Sequence, residues 1–187
     1  MIIRYTGKDN PKPVTVLSGV GKVLGKPDDP MVIRIDTREQ MPLSFDSSYI
    51  LTTRGTVPVF DYALDGDQDL FSIERKSLAD YVQAVVLSQS WRRELAKIAK
   101  AAARLQPIIY VLEFGFDALA TYDYMQFNSG RVTSQFVYRR TAELVFDYGV
   151  TVLFAGSRQG AAYAIALILK RRLESLRAGK ESLRSKQ

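Results

Sequence analysis

Strand-like segments alternate with helix-like segments along most of this chain, and this alternation limits the possible fold more than any other feature. Apolar or period-two runs predict strands at 32–36, 57–64, 71–76, 108–114 and 150–155. Helical patterns cover 77–105, 133–148 and 159–176. Helices placed between strands predict an α/β fold in which one sheet carries helices on its faces.

The segment 77–105 has the clearest helical pattern. One stripe of it is apolar and a second stripe is basic, and each repeats every three or four residues. The apolar stripe contains Trp91, Leu95, Ile98, Ala102 and Leu105. The basic stripe contains Arg93, Lys97, Lys100 and Arg104. Basic stripes are usually solvated helix faces, and DNA contact is the alternative interpretation.

The first thirty residues differ from the rest because they are rich in glycine and proline. We expect an irregular N-terminal arm at 1–30, with one strand at 14–17. The run 19–26 superficially resembles a phosphate-binding loop, but Val20 and Pro27 stand where that motif needs glycine and serine or threonine. The expected organisation is therefore this arm, a domain at 31–176 and a basic C-terminal tail at 177–187.

The chain contains neither histidine nor cysteine among its 187 residues. Ser-His-Asp and Cys-His catalysis are therefore excluded, as are metal sites built from imidazole or thiolate. Carboxylates, carbonyls and water would hold any metal, and these ligands suit Mg²⁺ or Mn²⁺. No apolar run approaches the ~20 residues of a membrane span, and no signal-peptide core follows the N-terminus. We expect a cytoplasmic protein without membrane contact.

The net charge of +6 is concentrated near the C-terminus. Between Lys170 and Gln187 seven basic residues stand against two glutamates, which gives 7 − 2 = +5. Such a segment serves either as a solubilising helix end or as a contact for phosphates.

A carboxylate and an ammonium are spaced two residues apart at the end of the strand at 71–76. Side chains alternate across a strand, so Glu74 and Lys76 share one face, roughly 7 Å apart at Cα, and Arg75 points the other way. A surface ion pair is the ordinary interpretation. The alternative is a metal-dependent phosphodiesterase, in which the carboxylate holds a divalent cation and the lysine acts on the scissile phosphate.

Further acidic and basic residues surround this pair in sequence. Together, Asp36-x-Arg38-Glu39, Asp61-Tyr62 and Glu74-Arg75-Lys76-x3-Asp80 closely resemble the nuclease domain of the XPF family of structure-selective DNA endonucleases. The resemblance covers about 31–175 and implies a restriction-endonuclease-like α/β fold, a central mixed sheet flanked by helices. Two departures are Phe60, where the family hallmark has glycine, and 88–93, where a glycine-arginine pair is usual.

The resemblance also implies roles for individual residues. Asp61 and Glu74 would be ligands of Mg²⁺ or Mn²⁺, Asp36 a further ligand or support, and Lys76 the catalytic lysine. Supporting or phosphate-contacting roles fall to Arg38, Glu39, Arg75 and Asp80. The expected nucleic-acid contacts are Arg92, Arg93, Lys97, Arg177 and Lys180.

Several of these residues also have structural interpretations. Asp80 can complete a helix-capping box with Ser77. Arg75 can form a buried ion pair with Glu39 or Asp80, Asp36 can be a turn residue, and Glu113 can simply end its strand.

The expected function is Mg²⁺-dependent DNA endonuclease activity near a branch or a single-strand/double-strand junction. Alternatives are a non-catalytic scaffold for a partner nuclease and a metal-independent DNA-binding or RNA-processing protein. Because no helix-hairpin-helix or helicase module is recognisable, a partner protein could supply DNA targeting. The resemblance also implies a homodimer, which we expect to form through the apolar stripe of the last helix, with the helix at 133–148 as the second contributor. We expect a prokaryotic or viral, nucleoid-associated protein. The stripe of the last helix consists of Ala162, Ile165, Leu169, Leu173 and Leu176.

Overall fold

A computed structural model describes residues 30–45, 49–105, 107–127 and 132–184. Apart from Pro30, the expected N-terminal arm and its strand at 14–17 lie outside the described residues, as do 185–187.

Six strands form one mixed sheet in the order β2-β1-β3-β4-β5-β6. Strand β1 pairs with β2 in parallel and with β3 antiparallel, and β3 pairs antiparallel with β4. Strands β4, β5 and β6 are mutually parallel. The strands are β1 Met31–Asp36, β2 Ile50–Gly55, β3 Tyr62–Leu64, β4 Ile73–Lys76, β5 Ile108–Leu112 and β6 Val150–Phe154.

Helices cover both faces of this sheet, which confirms the predicted fold class. The first face packs against α1, α2 and α4, and the second against α5. The helices are α1 Leu78–Val86, α2 Ser88–Ala102, α3 Ala118–Thr121, α4 Ser134–Phe146 and α5 Arg158–Arg184, with a 3₁₀ turn at Met125–Phe127. None of the helices within the described residues has the length and hydropathy required to cross a membrane.

The single helix expected at 77–105 is wrong, because the chain breaks at Leu87 into α1 and α2. Leu87 has extended backbone angles, φ −77° and ψ 122°. Val85 and Trp91 are both buried, yet six residues, or roughly 1.7 helical turns, separate them. In one straight helix these two side chains would point to different faces. Burying both of them would then also bury Ser88 or Gln89. The break lets both apolar faces reach the sheet.

The strand expected at 57–64 is also wrong in its extent. Only Tyr62–Leu64 joins the sheet, and the preceding strand lies at Ile50–Gly55. Val57 and Phe60 are buried in an irregular segment that leads into β3. The last helix continues to Arg184 and so includes most of the segment expected to be a tail.

The apolar stripe of α5 is not the exposed dimer surface that the sequence predicts. Ile165 and Leu169 are fully buried against the sheet of the same chain. Ala162, Leu173 and Leu176 pack beside them in the same core. The stripe is wide because α5 crosses β1, β3 and β5, and it therefore stabilises the monomer.

Candidate active site

Strands β3 and β4 bring Asp61 and Glu74 together on the sheet face that packs against α2. Asp61 precedes β3, and its N–H donates to the Ile73 carbonyl at 3.1 Å. Its Oδ2 accepts a hydrogen bond from Arg75 N at 2.8 Å. The backbone of β4 therefore fixes the Asp61 carboxylate beside Glu74.

The two carboxylates influence one another strongly. Burial, followed by the neighbouring charge of Glu74, raises the pKa of Asp61 to about 8. Burial also raises the pKa of Glu74, but the charges of Lys76 and Lys97 outweigh it and hold that pKa well below its ordinary value. At neutral pH Glu74 is therefore ionised and Asp61 is mostly protonated.

Two lysines contact the two oxygens of Glu74, whose own exposure is 3 %. Lys76 Nζ lies 2.9 Å from Oε1, which confirms that Glu74 and Lys76 share one strand face. Lys97 Nζ, from α2, lies 2.5 Å from Oε2. Lys97 was expected on a DNA-contacting stripe and instead reaches into the site.

Glu94 completes this cluster, and the sequence analysis missed it. Its Oε2 lies 3.2 Å from Lys76 Nζ, and its Oε1 accepts a 2.6 Å hydrogen bond from the Tyr110 hydroxyl. Burial lowers the pKa of Lys76, but Glu74 and Glu94 raise it above its ordinary value. The sequence signal that could have identified Glu94 is its position in the helix, because it lies on the buried face of α2 with Trp91 and Ile98.

Arg75 lies on the opposite face of β4, away from Glu74 and Lys76. Its guanidinium contacts Glu39 at 3.0 Å and Glu113 at 2.9 Å, so the expected Arg75–Glu39 ion pair is confirmed. Arg158, the first residue of α5, also contacts Glu113 at 2.9 Å. This ionic cluster connects the loop after β1, the strands β4 and β5 and the start of α5.

Asp36 organises the backbone around the site. Its Oδ1 accepts from Arg38 N at 2.9 Å and Nε at 2.6 Å, and its Oδ2 accepts from Val57 N at 2.7 Å. Its own N–H donates to the Asp61 carbonyl at 2.8 Å. Both carboxylate oxygens therefore accept hydrogen bonds from the protein itself, and a metal ion at Asp36 would compete with these donors.

Arg38 is exposed at the rim of the site. Asp36 raises the pKa of its guanidinium, and the charges of Asp61 and Glu74 add to this effect. Arg38 therefore lies within the electrostatic field of the buried carboxylates and can meet a phosphate from the solvent side.

Asp80 takes the capping role that the sequence offered as an alternative. Ser77 Oγ accepts from Asp80 N at 3.2 Å and donates to Asp80 Oδ2 at 2.6 Å. Asp80 is exposed and has no described contact with Glu74 or Lys76.

The other expected nucleic-acid residues lie on two sides of the molecule. Arg92 and Arg93 are exposed on α2, the helix that carries Lys97. Arg177 is exposed on α5, which packs on the other sheet face, and the side chain of Lys180 is outside the described residues.

The carboxylates can be tested for their fit to a divalent cation. Within the described residues no three acidic side chains form a metal-binding group. Asp61 and Glu74 remain as a pair of hard oxygen donors. Mg²⁺ is commonly held by one or two carboxylates together with water and substrate phosphate. Burial and the charge of Glu74 raise the pKa of Asp61, and a cation between the two carboxylates would offset this by favouring the ionised form, so the pair fits such an ion.

Comparison with known proteins decides the family. A model of the ERCC4 domain matches residues 35–168. This chain belongs to the ERCC4 domain family. The resemblance predicted from the motifs is confirmed, and the matched region contains Asp36, Asp61, Glu74 and Lys76. No protein of curated function matches the sequence.

Solved structures confirm the fold of this ERCC4 domain. The structure described as XPF from Aeropyrum pernix in complex with DNA is 20% identical, with a TM-score of 0.58, and the match covers 78% of this chain and 66% of that one. A second structure of XPF from Aeropyrum pernix is 18% identical, with a TM-score of 0.59 and coverages of 80% and 69%. The matches thus span about two thirds of the Aeropyrum chains.

Proposed function

We propose that this ERCC4-domain protein is a divalent-metal-dependent DNA endonuclease that hydrolyses phosphodiester bonds at branched or junction DNA. The observation that carries the proposal is the cluster of Glu74, which is buried, with the partly buried Asp61 and Lys76 on one face of the sheet. Two carboxylates of unlike pKa beside a protonated lysine are suited to phosphodiester hydrolysis.

Each member of the cluster has a distinct role in this proposal. Asp61 and Glu74 would hold Mg²⁺ or Mn²⁺, which supplies Lewis-acid stabilisation of the charge on the phosphate oxygens. Lys76 stays protonated at neutral pH because Glu74 and Glu94 raise its pKa. It therefore acts as a fixed positive charge for the transition state and not as a general base.

The DNA would approach over α2. Arg92 and Arg93 are exposed there, and Arg38 lies at the rim of the carboxylate cluster. Guanidinium groups pair well with phosphate oxygens. The Aeropyrum pernix XPF structure described as a complex with DNA supports this partner. The basic end of α5 would contact a more distant part of the same substrate, or a targeting protein.

A homodimer is part of the proposal, through the helix at 133–148 that the sequence named as the second contributor and not through the stripe of α5. Phe146 is 90% exposed at the end of α4, and Val145 before it is also exposed. Strand β6, which follows α4 in sequence, is an edge of the sheet. Exposed apolar residues next to an edge strand are typical of an interaction surface.

The scaffold alternative has one observation in its favour. Both oxygens of Glu74 already contact ammonium groups, so its charge is balanced in the protein alone. A scaffold of this kind would bind DNA without needing a divalent ion.

One assay separates these functions. Labelled single-stranded, duplex, flap, fork and four-way DNA would be incubated with the protein in Mg²⁺, Mn²⁺ or EDTA. Cleavage of the junction substrates only with a metal supports the nuclease. Binding without cleavage under every condition supports the scaffold, and cleavage in EDTA would contradict the metal-dependent mechanism.

A further inference from the structure

The carboxylate of Glu74 has an ammonium on each oxygen. Lys76 contacts Oε1 at 2.9 Å and Lys97 contacts Oε2 at 2.5 Å. A divalent cation bound to Glu74 would repel both ammonium groups, so we expect it to displace one of these lysines. The two lysines are not held equally, and that difference identifies the one that moves.

Lys76 is the better anchored of the two. It contacts Glu74 and also Glu94, which Tyr110 holds in place, and its side chain is 11% exposed. It lies on β4, paired to β5, so its backbone is fixed inside the sheet. Moving the Lys76 ammonium away from Glu74 would disturb the contacts of three buried polar side chains, Glu74, Glu94 and Tyr110.

Lys97 is held by fewer contacts and has a route to solvent. Glu74 is its one carboxylate partner among the described residues, and its side chain is 30% exposed. Its second contact is the face of the Phe60 ring, with Nζ 5.4 Å from the ring centroid. Phe60 is itself fully buried and packs edge-on against Tyr110. A glycine, which the family hallmark has here, could not offer that ring.

We propose that Lys97 is an exchangeable counter-cation of Glu74 that couples metal binding to DNA binding. In the metal-free protein its ammonium balances the buried Glu74 charge. When Glu74 takes up a divalent cation, Lys97 swings outward, and a DNA phosphate on the α2 surface provides its new partner. This inference rests on the proposed nuclease function.

The coupling follows from the partners that Lys97 has in each state. Without DNA, a metal ion must displace Lys97 into water, which weakens metal binding. With DNA bound, Lys97 exchanges one anion for another, and metal binding becomes stronger. By linkage, the metal must strengthen DNA binding by the same factor.

The test measures metal binding directly, so it does not depend on cleavage. The Mn²⁺ dissociation constant would be determined by electron paramagnetic resonance, with and without fork DNA that carries phosphorothioate linkages at the junction. Lys97→Met is compared with Lys100→Met, which removes the same charge one turn away. Lys100 is exposed, and its Nζ donates to the Pro58 carbonyl at 3.0 Å.

The expected result has two parts. Without DNA, Lys97→Met binds Mn²⁺ at least about tenfold more tightly than the wild type, and DNA strengthens its metal binding by a smaller factor than in the wild type. Lys100→Met keeps the wild-type affinity and the wild-type coupling. Equal behaviour of the two variants overturns the role of Lys97. By contrast, if wild-type protein binds no Mn²⁺, or if Glu74→Gln binds it equally well, the proposed metal site itself fails.

A second measurement uses the wild-type protein, in case Lys97→Met does not fold. The ¹⁵N signals of the lysine ammonium groups would be followed by NMR during addition of Mg²⁺. We expect the Lys97 signal to shift and to exchange faster with water, while the Lys76 signal stays protected. Loss of the Lys76 signal with retention of Lys97 would overturn the inference.

Discussion

The Tyr110 hydroxyl donates a 2.6 Å hydrogen bond to Glu94 Oε1, and Glu94 Oε2 contacts Lys76. A residue of β5 thereby orients a lysine of β4 through a carboxylate of α2. Because this relay is buried, each of its members depends on the next for hydrogen bonding.

Tyr110→Phe should destabilise the protein by about 1.5–3 kcal/mol, because it removes a buried hydrogen bond to a charged carboxylate. The free energy of unfolding would be measured by urea denaturation. Tyr124→Phe is the matched control, since its hydroxyl donates to the neutral Leu119 carbonyl at 2.7 Å. If Tyr110→Phe lowers the free energy of unfolding by less than Tyr124→Phe does, the relay is not important for stability.

Arg75→Met should lower the free energy of unfolding by about 3–5 kcal/mol, because it leaves the buried Glu39 without its cation and Glu113 with Arg158 alone. Arg34→Met breaks the more exposed Arg34–Asp65 pair and should cost about 1 kcal/mol or less. Thermal and urea denaturation would measure both. Equal losses in the two variants would show that the cluster on the second sheet face adds no stability.

Asp36→Asn should destabilise the protein by about 1–3 kcal/mol at neutral pH, because an amide hydrogen would face Val57 N or the Arg38 guanidinium. Burial raises the pKa of Asp36, but its hydrogen bonds with Arg38 and Val57 outweigh this and lower it below 3.8. The charge therefore stabilises the fold above pH 3.8, and this contribution is lost as the pH falls through the lowered pKa.

Unfolding of Asp36→Asn measured across acid pH should accordingly show a flatter decline than the wild type. Asp69→Asn, which changes an exposed aspartate in the turn between β3 and β4, serves as the control and should decline like the wild type. If the stability of Asp36→Asn falls as steeply with decreasing pH as that of the wild type, the ionised Asp36 carboxylate does not stabilise the fold.

Phe146→Glu should convert a dimer into a monomer without loss of stability, because Phe146 is 90% exposed. Light scattering at tens of micromolar would give the mass, and denaturation would check the fold. Ile165→Glu, by contrast, should unfold the chain, since Ile165 is fully buried. A wild-type mass of 21.0 kDa would contradict the dimer.

Local pattern was enough to predict much of the sheet and part of the site. Strand alternation placed Glu74 with Lys76 and sent Arg75 to the other face, where it meets Glu39. The site beyond that depends on tertiary packing. Glu94 and Lys97 enter it only because α2 starts anew after Leu87 and packs against the sheet at β5, next to β4.

The misplaced strand has a similar cause. Strand β2 is an edge strand in which Ile50 alone is buried, so its sequence lacks the apolar alternation of an inner strand. The segment 57–60 is apolar because it fills the core beside Tyr110, and its backbone is set by Asp36 and not by a neighbouring strand. The apolar composition of this segment therefore predicts that it is buried, but it does not predict that it pairs with another strand.

The most direct test of the account is the single-turnover rate of fork DNA cleavage by Glu74→Gln, at saturating DNA and Mg²⁺. The variant keeps the shape of the side chain and removes the charge that would hold the ion. We predict a rate at least ~100-fold below that of the wild type even though DNA is saturating. Asp69→Asn, which removes an equal charge from the exposed turn between β3 and β4, should retain the wild-type rate. Wild-type cleavage by Glu74→Gln would contradict the central claim.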